Sequence, residues 1–116
     1  MKIEIEYPLT VNGMYEILTD AFESGSIDYW AITIDYAKDS DHNILEWKIL
    51  ESDERDGKEH KYVIGAHAIE KGIKRIFKSD FKVDEQIKMD ILNNEMDSTA
   101  YDCIIQAALF GELVYG

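Results

Sequence analysis

Hydrophobic and polar positions alternate at the start of the chain. Ile3, Ile5 and Tyr7 fall on one side and Glu4 and Glu6 on the other, the period of a strand with one solvated face. Pro8 closes that strand, because it has no N–H to give to a ladder. The period then becomes helical: Thr10 reads as an N-cap, and Val11, Met14, Tyr15, Leu18, Ala21 and Phe22 form one stripe running to about residue 24. Gly25 stands where a left-handed residue is wanted after a helix.

The stretch from Ile27 to Tyr36 is rich in β-branched and aromatic residues and apolar on both faces, which predicts a central strand with Trp30 on the same face as Ile32 and Ile34. A polar turn over 38–43 leads to Leu45, Trp47 and Ile49 alternating with Glu46 and Lys48, a third strand. The polar stretch 51–58 carries the pair Asp56-Gly57, a hairpin signal, before a further strand from His60 to Ile64. From Ala66 the spacing is helical again, with Ile69, Gly72, Ile73, Ile76 and Phe77 on one stripe. A short helix over Val83 to Asn93 follows. A last helix, capped by Asp97 or Ser98 and reaching Phe110, is apolar on nearly every side and therefore buried. Gly111 ends it, and Glu112 to Tyr115 offers a short closing strand. The order β-α-β-β-β-α-α-α predicts an α+β fold: an antiparallel sheet of three to four strands with helices packed on one face, one domain over residues 1–116.

Composition changes the picture through charge. Among 116 residues there are 24 acidic and 12 basic ones, for a formal charge of −12. With 46% of residues hydrophobic the chain has a core to build, which excludes a disordered acidic tail. The field of such a body repels duplex DNA and anionic membranes, so neither is an expected partner. Cys103 is the only cysteine, so no disulfide forms within the chain. Without a signal-peptide pattern or an apolar run of about 18 residues, the expected location is cytoplasmic.

Candidate chemistry is sparse. His42, His60 and His67 are scattered, with no His-x-x-x-His or Cys-x-x-Cys spacing. A zinc site needs about four converging ligands; only His60, His67 and Cys103 with a carboxylate offer them, and the same groups are the only material for a Cys–His nucleophile. Cys103 lies on the most apolar helix, where a thiol is usually inert packing. No glycine loop of the phosphate-binding kinds is present. The expectation is a non-enzyme without a cofactor or metal.

Two features stand out. Lys71, Lys74, Arg75 and Lys78 share one helix face, within a segment (65–88) that holds six basic and four acidic residues inside an otherwise acidic chain. Such a stripe is either a solvated face or a grip for phosphate or an acidic partner. The second is Asp28-Tyr29-Trp30 after the Gly25 corner, aromatic residues that serve as core or as an interface anchor.

Ser26-Ile27-Asp28-Tyr29-Trp30 after Glu23-Ser24-Gly25, together with the run from Asp97 through Ala107-Ala108-Leu109-Phe110-Gly111-Glu112 to Tyr115-Gly116, resembles a family of small accessory proteins of tailed bacteriophages and prophages. The resemblance implies a protein made inside an infected bacterium and carries over no catalytic residue. With the acidic charge it leads to an expected function: a stoichiometric inhibitor of a host defence or nucleic-acid-handling protein, such as a nuclease, of the anti-CRISPR, DNA-mimic type. Glu51, Asp53, Glu54, Asp56 and Glu59 would supply the mimicry and Tyr29 and Trp30 the anchor. The alternative is a protein that sequesters a nucleotide signal, with Lys71, Lys74, Arg75 and Lys78 on its phosphates and Tyr29 or Tyr36 stacked on its base. A small metal-dependent enzyme using His60 or His67 ranks third. A homodimer is compatible with each of the three.

Overall fold

The computed structural model describes residues 10–52 and 56–116. The strand expected over residues 2–7 therefore lies outside the described residues. The described elements are α1 (Val11–Ser24), β1 (Ala31–Lys38), β2 (Ile44–Glu51), β3 (Lys61–Ile64), α2 (Ala66–Ile76), α3 (Glu85–Leu92) and α4 (Ser98–Phe110). The three strands form an antiparallel sheet in the order β1-β2-β3, and helices cover one of its faces: the fold is α+β, as the pattern predicts.

Helix α1 starts and stops where its cap residues put it. The Thr10 hydroxyl accepts from the Gly13 amide at 3.0 Å, and Gly25 adopts φ +66°, a left-handed conformation that costs glycine nothing. Met14, Ile17, Leu18 and Ala21 bury the inner face of the helix. Thr19 ties this helix to the sheet, giving its hydroxyl to the Tyr15 carbonyl (2.8 Å) and accepting the amide of Ile44, the first residue of β2 (2.9 Å).

The segment between α1 and β1 departs from the expected strand. Residues 25–30 form tight turns, in which the Trp30 and Ala31 amides both donate to the Ile27 carbonyl (3.0 and 2.9 Å). The turns detach Trp30 from the strand face it was expected to share. Trp30 is 2% exposed, whereas Ile32 and Ile34 are 54% and 49% exposed. Among the described strands β1 is not the central one that its apolar composition predicts. Among the described residues it pairs with β2 alone, and every residue after Ala31 is exposed. Of the three described strands the middle one is β2, where Trp47, Ile49 and Glu51 alternate inward. A register shift between Thr33 and Asp35 leaves Ile34 as an extra residue opposite β2, a β-bulge.

Helices α2 and α4 form the closest pair in the helix layer. Ile69, Gly72, Ile73 and Ile76 are the buried stripe of α2, as their spacing predicts. Gly72 lies so near α4 that a Cβ there would stand 2.2 Å from the Ile104 carbonyl oxygen. Asp97 caps α4, its carboxylate accepting the Ala100 amide at 3.0 Å. All seven residues from Asp102 to Ala108 are buried, so the helix is the central one, as its all-round apolarity requires. Residues 112–115 form no strand, contrary to expectation. Their backbone is held by a side chain instead, as described next.

Candidate functional site

The most elaborate polar arrangement is built around two buried carboxylates. Asp102 sits on α4 and is 9% exposed; Glu51 ends β2 and is 2% exposed. Burying an anion is expensive unless donors surround it. Asp102 accepts from the Trp30 indole N–H at 2.8 Å, from the Gln106 amide at 2.9 Å and from the Tyr29 hydroxyl through a short hydrogen bond. Glu51 accepts from the Tyr62 hydroxyl at 3.1 Å and from the Tyr115 hydroxyl.

Gln106 joins the two halves. Its Oε1 accepts the backbone amides of Val114 and Tyr115, both at 2.8 Å, and its Nε2 donates toward the Tyr115 carbonyl at 3.2 Å. One side chain thus satisfies backbone groups that a strand partner would otherwise satisfy. The ring of Tyr115 lies parallel to Trp30, with centroids 5.2 Å apart, and Phe110 closes the group at 5.5 Å from Trp30.

This geometry corrects two expected roles. Trp30 is not a surface anchor: its ring is core and its N–H is committed to Asp102. Glu51 does not belong to an acidic surface loop, because it continues the inward alternation of β2. Tyr29 is 57% exposed, yet its hydroxyl reaches inward to Asp102 and also accepts from Gln106 at 3.3 Å. Asp102 and Gln106 were not singled out from sequence. Their signal is two polar residues four apart in the otherwise apolar run 102–110, which places them on one face.

Burial of the hydroxyl, followed by its hydrogen bond to Asp102, pushes the Tyr29 phenol well above its ordinary value of 10.0. The unfolded chain then gives up this proton first as pH rises. The contribution is fully present below about pH 10 and is lost as pH climbs toward the folded-state value. The urea midpoint of the wild type is therefore expected to fall more steeply above about pH 10 than that of Tyr29→Phe. Parallel curves for the two proteins would contradict the assignment.

Of the expected acidic loop, Asp53 and Glu54 lie outside the described residues. Asp56 and Glu59 are exposed, and Asp56 pairs with His60 at 2.9 Å. That contact holds the Asp56 carboxyl below its usual range. The basic stripe is only partly open. Lys74 bonds Glu70 at 2.6 Å; Arg75 grips Asp80 at 2.7 Å and donates to the Gly111 carbonyl at 2.9 Å; Lys71 and Lys78 are exposed, with Lys78 beyond the end of α2. These contacts hold the carboxyls of Glu70 and Asp80 below their usual range.

His42 and His67 are exposed, and His60 is half-buried in the hairpin. Among the described residues no three His, Cys, Asp or Glu side chains converge as metal ligands. Cys103 is buried, and burial together with the neighbouring Asp102 raises its thiol to about 11, well away from the reactive thiolate.

What the fold and this site define is a class: an α+β protein whose helix layer encloses a satisfied network of two carboxylates, outside which lie a strand of exposed apolar side chains and an acidic surface. No helix among the described residues is long and apolar enough to cross a membrane. Comparison with protein-family models, with curated proteins and with solved structures returned no match.

Proposed function

We propose that this chain works by stoichiometric binding to another protein, as an inhibitor of a bacterial defence or nucleic-acid-handling enzyme, in keeping with its resemblance to phage accessory proteins. The supporting observation is a carboxylate-dominated surface on a body of charge −12, with Asp28, Asp35, Asp41, Asp56 and Glu59 all exposed. Such a surface is complementary to the basic channels in which nucleases hold phosphate backbones, and it steers association at low salt. Lys71 and Lys78 remain available for a phosphate, but the ion pairs of Lys74 and Arg75 favour the protein-binding reading over nucleotide capture.

The test is titration of the full chain into purified bacterial nucleases, RNA-guided ones included. Activity is expected to fall linearly to an equivalence point near one-to-one. The inhibition should weaken by about tenfold or more between about 50 and 500 mM salt. No inhibition of any enzyme in the set, or equal inhibition by polyglutamate at matched charge, would overturn the proposal.

A further inference from the structure

Residues 112–116 are held the way a bound peptide is held. Gly111, at φ +72°, turns the chain out of α4. Among the described residues, no backbone group of 112–116 bonds another backbone group. Side chains from three parts of the chain make the hold instead: Gln106 of α4, Glu51 at the end of β2 and Trp30 from the turns before β1. Glu112 and Leu113, which link the segment to α4, are exposed. A segment fixed by so few contacts opens locally, at a lower free energy than the elements beneath it.

The seat under the segment has a definite chemistry. Gln106, 1% exposed, meets the Val114 and Tyr115 amides and the Tyr115 carbonyl, so it fixes an extended backbone whatever side chains that backbone carries. Trp30 offers the face of its ring to an aromatic side chain. Glu51 accepts the phenol O–H at the base of the slot, a bond to a carboxylate that phenylalanine cannot make. The next position favours glycine: Gly116 is at φ +108°, and a Cβ there would stand 3.2 Å from the Tyr29 hydroxyl. Backbone, ring, hydroxyl and glycine are thus each read by a different group.

We infer that residues 112–116 are a detachable strap, and that their seat on Gln106, Trp30 and Glu51 is a binding site for an extended peptide in which tyrosine precedes glycine. The chain's own segment fills the site until the strap opens. The inference is independent of the proposed function.

Two measurements on the full chain test it. In the wild type, hydrogen exchange read by NMR is expected to show the Val114 and Tyr115 amides protected about a hundredfold less than those of Ile104 and Ile105, and unaffected by low urea, the mark of a local opening. Equal protection with an equal response to urea would overturn the strap. The second measurement uses Tyr115→Pro, which removes the ring, its hydroxyl and one of the two amides. This variant is expected to bind an added peptide with the sequence of residues 112–116, capped at both ends. Binding reads as a shift of the Gln106 side-chain amide resonances and a rise in melting temperature.

Phenylalanine in place of the peptide's tyrosine should weaken binding about tenfold, and alanine in place of its glycine by a similar factor. The wild type should bind the peptide about tenfold more weakly than the variant, because its own strap competes at high effective concentration. No binding to the variant at about 5 mM peptide, equal binding of the phenylalanine and alanine peptides, or equal binding to the wild type would each overturn the site. Should Tyr115→Pro fail to fold, Tyr115→Ala is titrated with the same peptides and judged by the same outcomes.

Discussion

Replacing Gly72 with alanine is expected to lower stability by about 3 kcal/mol, at the upper end of what overpacking costs, seen as a reduced urea midpoint at unchanged slope. The cause is the closeness of two backbones. An added methyl would meet the Ile104 carbonyl oxygen at 2.2 Å and its carbon at 3.0 Å, and neither can swing aside as a flexible side chain would. The helices must part, and with them Ile69, Ile73 and Ile76 lose contact with the core. Helix propensity alone works the other way, favouring alanine by up to about 1 kcal/mol, so packing has to outweigh it. Gly57→Ala is the informative control. Nothing lies within 4 Å of its Cβ position, and only its φ of +75° opposes the change, so a loss of about 1 kcal/mol is expected there. If Gly72→Ala proved no worse than Gly57→Ala, the tight seat of α2 on α4 would be wrong.

The second large effect is expected at Asp102. Asp102→Ala removes the acceptor for the Tyr29 hydroxyl, the Trp30 indole and the Gln106 amide, three groups drawn into the interior by one carboxylate. Each donor left without a partner costs about 1–3 kcal/mol, and two of the three have other contacts or reach water, so the expected loss is about 3 kcal/mol. Asp102→Asn keeps one carbonyl oxygen for Trp30 and Gln106 and presents an NH₂ toward Tyr29, whose hydroxyl can turn to accept it. Its loss should be nearer 1 kcal/mol. Thermal unfolding followed by near-ultraviolet circular dichroism reads both variants, because Trp30 sits in the affected contact. Equal losses for alanine and asparagine would mean that the full carboxylate is required, since asparagine keeps both the volume and one carbonyl acceptor.

Local signals carried most of the fold. Thr10 and Gly25 bracket α1, Asp97 and Gly111 bracket α4, and the stripe through Ile69 and Ile76 points inward, because caps and helical periodicity are decided within a few residues. The place of β1 at one end of the described sheet is not a local property. A run such as Ile32-Thr33-Ile34 reports that a strand forms, whereas its place in the sheet depends on what packs against it from far along the chain. The turns before Ala31 hid in the same run, since Tyr29 and Trp30 suit a strand by composition. Glu51 extends the inward series Trp47, Ile49, although its acidic neighbours give the segment the composition of a surface loop. Asp102 and Gln106 needed the opposite attention, to the exceptions in an apolar helix rather than to its average.

The central position of α4 has a consequence for synthesis. Trp30 and Asp102 are 72 residues apart in sequence, and Glu51 and Tyr115 are 64 apart. A ribosome therefore delivers α1, the sheet and α2 well before the helix that covers them. Until residues 98–110 emerge, the apolar side of α2 and the ring of Trp30 stand open to water. At about 5–20 residues per second that interval lasts several seconds. The nascent chain is consequently most exposed to chaperones and proteases just before the helix that completes it is made.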